Sequence, residues 1–573
     1  MNNVCTGIIF FSYIIFEELI VMKKFVKDLK NEFSGYNLNK LLNDLMAGIT
    51  VAAVALPLAL AFGVSSGADA AAGLITAIVA GVVISIFSGA SYQISGPTGA
   101  MTAVLVTIVM RYNIQGVFIA SLMAGAILLT LGILKLGKLV NLIPMPVITG
   151  FTSGIAIIIA LGQIDNFFGT HSEGESALQK LFSYTRLGFH INWQALVIGL
   201  LVVLIMVFYP KKLNAKLPSS LVAIIVAGLV SNLLHFDIAV VGNIPKTLFP
   251  ENRLRFSDMI QVEMVIDLIA PAFTIAALGM IESLLCGASA SRMKNEPFDA
   301  DREMVAQGIG NIIIPFFGGV PATAAIARTS VAIKSGCQTR LTGIFHSIGL
   351  LASMFLLGSV MAKLPLAALA GVLMVTAYRM NEWESIKFFF KKKINGAMIE
   401  YLITMLATVV FDLTTAIIIG ILCSLLMFIK HSAKISIKVS DIDPEKTGVV
   451  NEESRKKLDT TSLVTVKGPL FFATGEGIKK AFTTINNRAY SYEGGELVDC
   501  DRMIFIMSGV STIDTTGASV LRDLCKELHD NNIEVCFTDT DEYVSKIMTK
   551  MGIFDIVGTE AVFANTEDAL LNY

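Results

Sequence analysis

The sequence predicts a polytopic α-helical membrane domain followed by a small α/β domain. Three observations carry that prediction. The 573 residues are 54% hydrophobic and only 16% charged, and the mean hydropathy is +0.68. A soluble chain of this length needs more charge to cover its surface. Long stretches such as Ile78–Ile86, Leu196–Phe208 and Leu221–Leu234 carry no charge at all. After Lys430 the composition changes abruptly to that of an ordinary soluble domain.

Net charge is −2, so no global basicity points to nucleic acid. The seven cysteines are scattered with no CxxC pair, which reads as free thiols and argues against a disulfide framework or a zinc site. The six histidines do not cluster, and no Gly-rich loop with Lys, HExxH or GxSxG is present, so nothing supports soluble enzyme chemistry and no cofactor or metal is expected. Val4–Met22 is apolar but interrupted by Glu17 and Glu18, and no basic segment precedes it. Residues 1–21 are read as an upstream extension or an interfacial helix, with Met22-Lys23-Lys24 as the alternative start. The expected domains are an N-terminal segment over 1–39, a transmembrane domain over 40–431, a linker with room for one strand over 432–460, and the α/β domain over 461–573.

A helix needs about 20 apolar residues to cross the hydrocarbon. The expected spans are 45–65, 70–89, 97–110, 116–134, 145–166, 192–209, 218–235, 264–288, 304–317, 321–333, 341–361, 365–378, 398–412 and 413–430, fourteen in all. Two are too short to cross alone, and they begin at Pro97 and Pro321. Each follows a short stretch read as extended, Tyr92–Ser95 and Phe316–Gly319, and each opens on small residues. They are the third and the tenth spans, equivalent places in two halves of seven. Short, Gly/Pro-interrupted segments at matching positions mark a transporter's binding site. An odd number of spans per half makes the halves inverted. Placing both termini in the cytoplasm puts Lys and Arg in the inner loops over the outer ones by roughly two to one.

In the C-terminal part, strands are expected at Leu463–Val466, Leu470–Phe472, Met503–Met507 and Val535–Phe537. Helices are expected at Glu476–Asn486, Gly517–Asp530, Glu542–Met551 and Ala569–Tyr573.

The candidate site follows from the half-helices. Proline suits the first helical turn because its missing N–H has no partner there anyway. The remaining first-turn N–H groups lack intrahelical partners, and the macrodipole adds roughly half a positive charge. Two such ends facing each other at mid-membrane make an anion site. The competing reading is two kinked core helices. Arg328 lies about two turns into the second half-helix on this reading, where a charge is costly unless paired or wet. It adds positive potential to the site, pairs with an acid, or snorkels. Glu282, in the eighth span, shares a small polar face with Gly279, Ser283 and Cys286. A carboxyl there is a candidate for carrying a proton with the anion, or for a purely structural role. Phe62 walls a site or simply packs. Asp412 reads as a helix cap, Glu400 as a lesser candidate, and Asp44 and Lys40 as facing the inner headgroups.

Three stretches resemble the SulP family of anion transporters. They are Val54-Ala55-Leu56-Pro57-Leu58-Ala59-Leu60-Ala61-Phe62-Gly63, Gln93-Ile94-Ser95-Gly96-Pro97-Thr98-Gly99-Ala100, and Gly318–Arg328. The C-terminal part resembles a STAS domain, with Ile513-Asp514-Thr515-Thr516-Gly517 at a strand-to-helix turn. The resemblance implies a seven-plus-seven inverted repeat with core and gate domains, an elevator-like motion, and a homodimer in the cell membrane with cytoplasmic STAS domains. It implies an anion site at Phe62, Thr98, Gly99, Ala327 and Arg328, with Glu282 for proton coupling and backbone N–H groups around Thr98 and Ala327. Sulfate is the family's default substrate, with bicarbonate or a dicarboxylate as alternatives. The sodium-driven pattern has Asp in the eighth span and a hydroxyl residue one turn on. Glu282 and Cys286 depart from it, so a proton is expected rather than sodium. Proton-independent exchange, and a STAS-based signalling scaffold with a cytoplasmic partner, are the competing functions. Thr515 is the implied phosphosite.

Overall fold

The computed structural model describes residues 25–138, 143–174, 176–210, 213, 218–255, 262–411, 413–442, 458, 460–474, 478, 492–493, 496–497 and 500–571. The chain packs as two compact units, Met1–Ile421 and Leu422–Tyr573. The expectations for residues 1–21, for Asp412 and for nearly all of Glu476–Asn486 lie outside the described residues.

The first unit is helical. In chain order it holds α1 (25–32), α2 (Leu38–Ser65), α3 (Ala70–Phe87), β1 (Ser95–Gly96), α4 (Gly99–Ile133), α5 (Met145–Gly162), α6 (Ile164–Phe168) and α7 (Ala177–Leu187). There follow α8 (Trp193–Phe208), α9 (Ser219–Leu233), α10 (Val262–Asp267), α11 (Ile269–Lys294), α12 (Ala300–Ile313), β2 (Thr323–Ala324) and α13 (Ile326–Lys334). The series closes with α14 (Leu341–Met361), α15 (Leu366–Met380), α16 (Trp383–Lys391), α17 (Asn395–Val410) and α18 (Leu413–Ser432). Among the described residues, seven helices are long and apolar enough to cross a membrane by length and composition, and α8, α9, α15 and α17 are shorter apolar helices. This is a multi-pass membrane protein. The third and fourth expected spans run together as α4, broken at Asn113, whose backbone is non-helical with φ 55°.

Many polar side chains buried within this unit are paired, because an unpartnered polar group among apolar helices is costly; His346, whose ring nitrogens bond no described atom, is an exception. Asp44 corrects the expectation that it faces headgroups: it is fully buried. Its carboxylate accepts from the Tyr36 hydroxyl (2.9 Å), the Gln338 and Thr339 backbone N–H groups (2.6 and 3.0 Å) and the Thr339 and Thr342 hydroxyls (2.6 and 2.8 Å). It thereby ties the start of α2 to the α13–α14 turn. Arg340, the N-cap of α14, pairs with Glu32 at 2.7 Å, binding the end of α1 to the same place.

The second unit is an α/β domain. Its five-stranded sheet has the order β3-β4-β7-β8-β9, from β3 (Ser436–Asp441), β4 (Thr461–Lys467), β7 (Arg502–Gly509), β8 (Glu534–Thr538) and β9 (Val562–Phe563). A separate two-stranded ribbon pairs β5 (Tyr492–Glu493) with β6 (Glu496–Leu497). β3 pairs antiparallel with β4, so a strand forms inside the stretch read as linker; β4, β7, β8 and β9 are parallel. Parallel neighbours need helical crossovers, supplied here by α19 (Thr515–Asp530) and α20 (Glu542–Lys550), followed by α21 (Ile553–Val557) and α22 (Thr566–Leu571). The strand expected at Leu470–Phe472 is not one. Leu470 makes a single bridge to Ile513, and Phe472–Thr474 is a 3-10 turn. Its Phe472 N–H is held by the Asp514 carboxylate at 2.9 Å.

Candidate functional site

Two chain segments far apart in sequence cross at the site. Ser95 pairs with Ala324 and Gly96 with Thr323, antiparallel, and each strand then runs into its own helix. Both helices start later than the prolines suggested. Thr98 is the N-cap of α4, so Pro97 precedes the helix, and Ala325 is the N-cap of α13, four residues beyond Pro321. The prolines sit in the extended arms, where a locked φ near −65° favours extended chain, and the first-turn-proline reading is corrected. Phe316–Gly319 also differs. Ile314–Phe317 is a 3-10 turn, ended by Gly318 at φ 78°.

The crossing is held on every side. Ala325 N–H donates to Ile94 O at 3.0 Å, and Ile94 N–H donates to the Thr329 hydroxyl at 3.0 Å. The Ser283 hydroxyl of α11 sits 2.7 Å from the Thr323 hydroxyl and accepts from Ala324 N–H at 3.2 Å. Gln93 donates to Ser283 O at 2.7 Å. On the other side α12 presents Glu303, Gln307 and Asn311, all buried, at helical i, i+4, i+8 spacing. Asn311 bonds both backbone groups of Ala322, at 2.9 and 2.8 Å, and Gln307 donates to the Ser95 hydroxyl at 2.9 Å and to Glu303 at 2.8 Å. Glu303 also accepts from the Ser88 hydroxyl (2.6 Å) and Gly89 N–H (3.0 Å).

Neither half-helix N-terminus carries a side-chain cap. Their first-turn N–H groups, at Gly99 and Ala100 and at Ile326 and Ala327, therefore lack the acceptor that a capping side chain would give. Thr98 turns its hydroxyl elsewhere, donating to Glu282 Oε2 at 2.7 Å. The candidate acid thus touches the N-cap of α4. Arg328 is 1% exposed, so it does not snorkel. Its Nη2 donates to Pro97 O at 2.8 Å, and its Nη1 is bonded to no described atom. A methyl on Gly96 would lie 2.3 Å from that Nη1, so glycine is needed for the guanidinium to lie on the crossing. The cation therefore sits against the extended arm behind the α4 N-terminus.

Phe62 joins the same cluster. A methyl on Gly99 would stand 3.1 Å from the Phe62 ring and 2.3 Å from Ile159 Cδ1. Phe62 and Ile159 together cover the start of α4, while Ile326 and Ala327 are exposed. Cys286 donates to the Thr329 hydroxyl at 3.4 Å. Phe62, Thr98, Gly99, Glu282 and Arg328 are brought together at or beside the α4 end, and Ala327 lies at the α13 end. Thr515 lies apart in the second unit, exposed at the first turn of α19 behind the Asp514 N-cap. Glu400 is buried on α17. Sequence reasoning missed Ile159 and the α12 stripe. The stripe was visible as Glu, Gln and Asn four residues apart, but Ile159 gives no signal in an apolar span.

Crossed half-helices meeting inside a helical membrane unit define the inverted-repeat class of membrane transporter folds. This chain belongs to the sulfate permease family, whose model matches residues 41–407, and a STAS domain matches residues 454–569. It is 32% identical to the putative sulfate transporter YvdB of Bacillus subtilis, over 94% of this chain and 98% of that protein. It is 29% identical to the bicarbonate transporter BicA of Picosynechococcus, over 92% and 94%. The solved transmembrane domain of a cyanobacterium BicA matches 67% of this chain and 98% of its own, at 31% identity and TM-score 0.62. The murine Solute Carrier 26 family member A9 anion transporter, in the inward-facing state, shares the fold over 94% and 92% at TM-score 0.78 and 18% identity.

Proposed function

We propose that the protein is a secondary transporter that carries a small oxyanion, sulfate foremost, together with a proton. The carrying observation is the 2.7 Å contact between the Thr98 hydroxyl and the Glu282 carboxyl at the uncapped start of α4. An ionised Glu282 would compete with an anion for that helix end; a protonated one would not. Proton and anion would therefore favour each other's binding, which is the linkage symport requires. The anion would lie between the Gly99 and Ala327 N–H groups, with Phe62 as a wall and Arg328 supplying potential from behind. Motion would be elevator-like, in a homodimer of the cell membrane with both termini and the STAS domain cytoplasmic, the latter open to a partner or to modification at Thr515. Bicarbonate is the second reading, favoured by the likeness to the BicA transmembrane domain.

The test is uptake of labelled sulfate, bicarbonate and succinate into proteoliposomes with and without an inward proton gradient. Sulfate uptake stimulated by the gradient is expected, and Glu282→Gln, which keeps an acceptor for Thr98, should remove the stimulation. Transport indifferent to the gradient, driven by trans-anion alone, would favour exchange and end the proton role. No flux of any anion, alongside a stable STAS partner, would favour a signalling scaffold.

A further inference from the structure

A cavity of about 930 Å³ lies between α4, α5, α7, α11, α17 and α18. Thr102, one turn past the start of α4, and Ile159, which covers Gly99, both line it. It therefore adjoins the crossed half-helices without being part of them. Its walls are mostly aliphatic and aromatic, among them Phe273 and Val410, with a few hydroxyls and amides. Lys180 of α7 is the one charged residue among the described lining. α7 is fastened in place: the Tyr184 hydroxyl donates to Asp165 at 2.8 Å, and a capping box at Ser176 starts the helix.

Volume and lining define the occupant. Cavities of about 300–1,000 Å³ hold organic molecules of some tens of atoms. A small, fully hydrated oxyanion would lose water against these walls and recover little. An anion with an apolar body fits both halves of the lining, its head meeting the single cation and its body covering the apolar surface. We propose that this cavity binds amphipathic organic anions, a sulfonate or carboxylate on a phenylalkyl body, with the head on Lys180 and the body against Ile159, Phe273 and Val410. Such an occupant bridges α4 and α11 to α5 and α17. Where transport needs these two groups of helices to slide past each other, it stops transport without entering the small-anion site. That inhibitory effect rests on the transport reading above; the binding does not.

The experiment uses the purified full chain and a series of phenylalkanesulfonates below their micellar concentration, with phenylalkanols of the same length as neutral controls. Thermal melting reads binding, and labelled-sulfate uptake in proteoliposomes reads inhibition. The sulfonates should raise the melting temperature at about five- to tenfold lower concentration than alkanols of the same length. Half-saturating concentration should fall about fourfold per added methylene, from ~0.8 kcal/mol of apolar burial. Lys180→Gln should raise it about five- to tenfold, as expected for loss of a charge-assisted contact. Inhibition should lower the maximal rate and leave KM unchanged. Melting that ignores Lys180→Gln, competitive inhibition, or a melting response that appears only after bound lipid is stripped would each overturn the proposal. A normal melting response with no uptake of any anion would remove the transport reading and leave the site standing.

Discussion

Asn311→Leu tests how far the α12 stripe controls the proposed anion site. Asn311 and Ala322 are both fully buried. The wild-type amide donates to Ala322 O (2.9 Å) and Gln307 O (2.9 Å) and accepts from Ala322 N–H (2.8 Å). Leucine keeps the volume but strands the N–H and the C=O of Ala322 away from water. Each unpaired buried group costs about 1–3 kcal/mol. Gln307 O keeps the helical bonding of its own element, so the expected loss is about 2–6 kcal/mol. Part of that strain is released by letting the arm before β2 shift, and the arm sets where the Ile326 and Ala327 N–H groups point. A displacement costing ~1.4 kcal/mol of anion binding raises KM about tenfold. Melting of the purified protein and the KM for labelled sulfate read the two effects together. Asn311→Asp, which keeps the acceptor for Ala322 N–H, should fall between leucine and wild type in both. An Asn311→Leu protein with unchanged melting and unchanged KM would show that the β2 arm is held by β1 and Ser283 alone.

Two further outcomes follow. Gly96→Ala places a methyl 2.3 Å from Arg328 Nη1 and must push the guanidinium off the crossing, so apparent anion affinity should drop several-fold in the uptake assay while the protein still assembles. In the STAS unit, burial pushes the Cys525 thiol up to about 12, so at neutral pH it stays protonated as well as enclosed. Thiolate is the reactive form; mass spectrometry after maleimide treatment should find Cys525 modified only once the domain is unfolded, and labelling in the native protein would contradict its placement on the buried face of α19.

Much of this was legible because membrane burial leaves a strong mark on sequence. Apolar runs and their breaks located the helices, and a charge inside such a run, as at Glu282 or Arg328, stands out against a costly background. What was not legible depends on tertiary hydrogen bonding. Pro97 and Pro321 looked like helix starts because local rules place proline in the first turn. The pairing of β1 with β2 keeps both arms extended, and the helices begin only where the arms diverge. Asp44 looked like a headgroup residue because its partners, Gln338, Thr339 and Thr342, lie in another part of the chain. Ile159 is one apolar side chain among many until Gly99 is seen beneath it. In the second unit, Phe471-Phe472 has the residue types of a strand, but the Asp514 carboxylate holds Phe472 in a turn.

The two-residue crossing also constrains how the protein is made. Thr98 and Glu282 are 184 residues apart, and Pro97 and Arg328 are 231 apart. When the first half of the chain has entered the bilayer, Ser95, Gly96 and Pro97 have no strand to meet, and no lipid group can replace one. Loop closure over such distances is slow. The nascent protein must therefore keep a polar, half-built segment sheltered, by neighbouring helices or by the insertion machinery, until residues near 324 are synthesised. Variants that abolish the β1–β2 pairing outright, unlike Gly96→Ala, should then be lost mainly during biogenesis, as chains degraded before they mature, and the proposed site would be among the last parts of the molecule to exist.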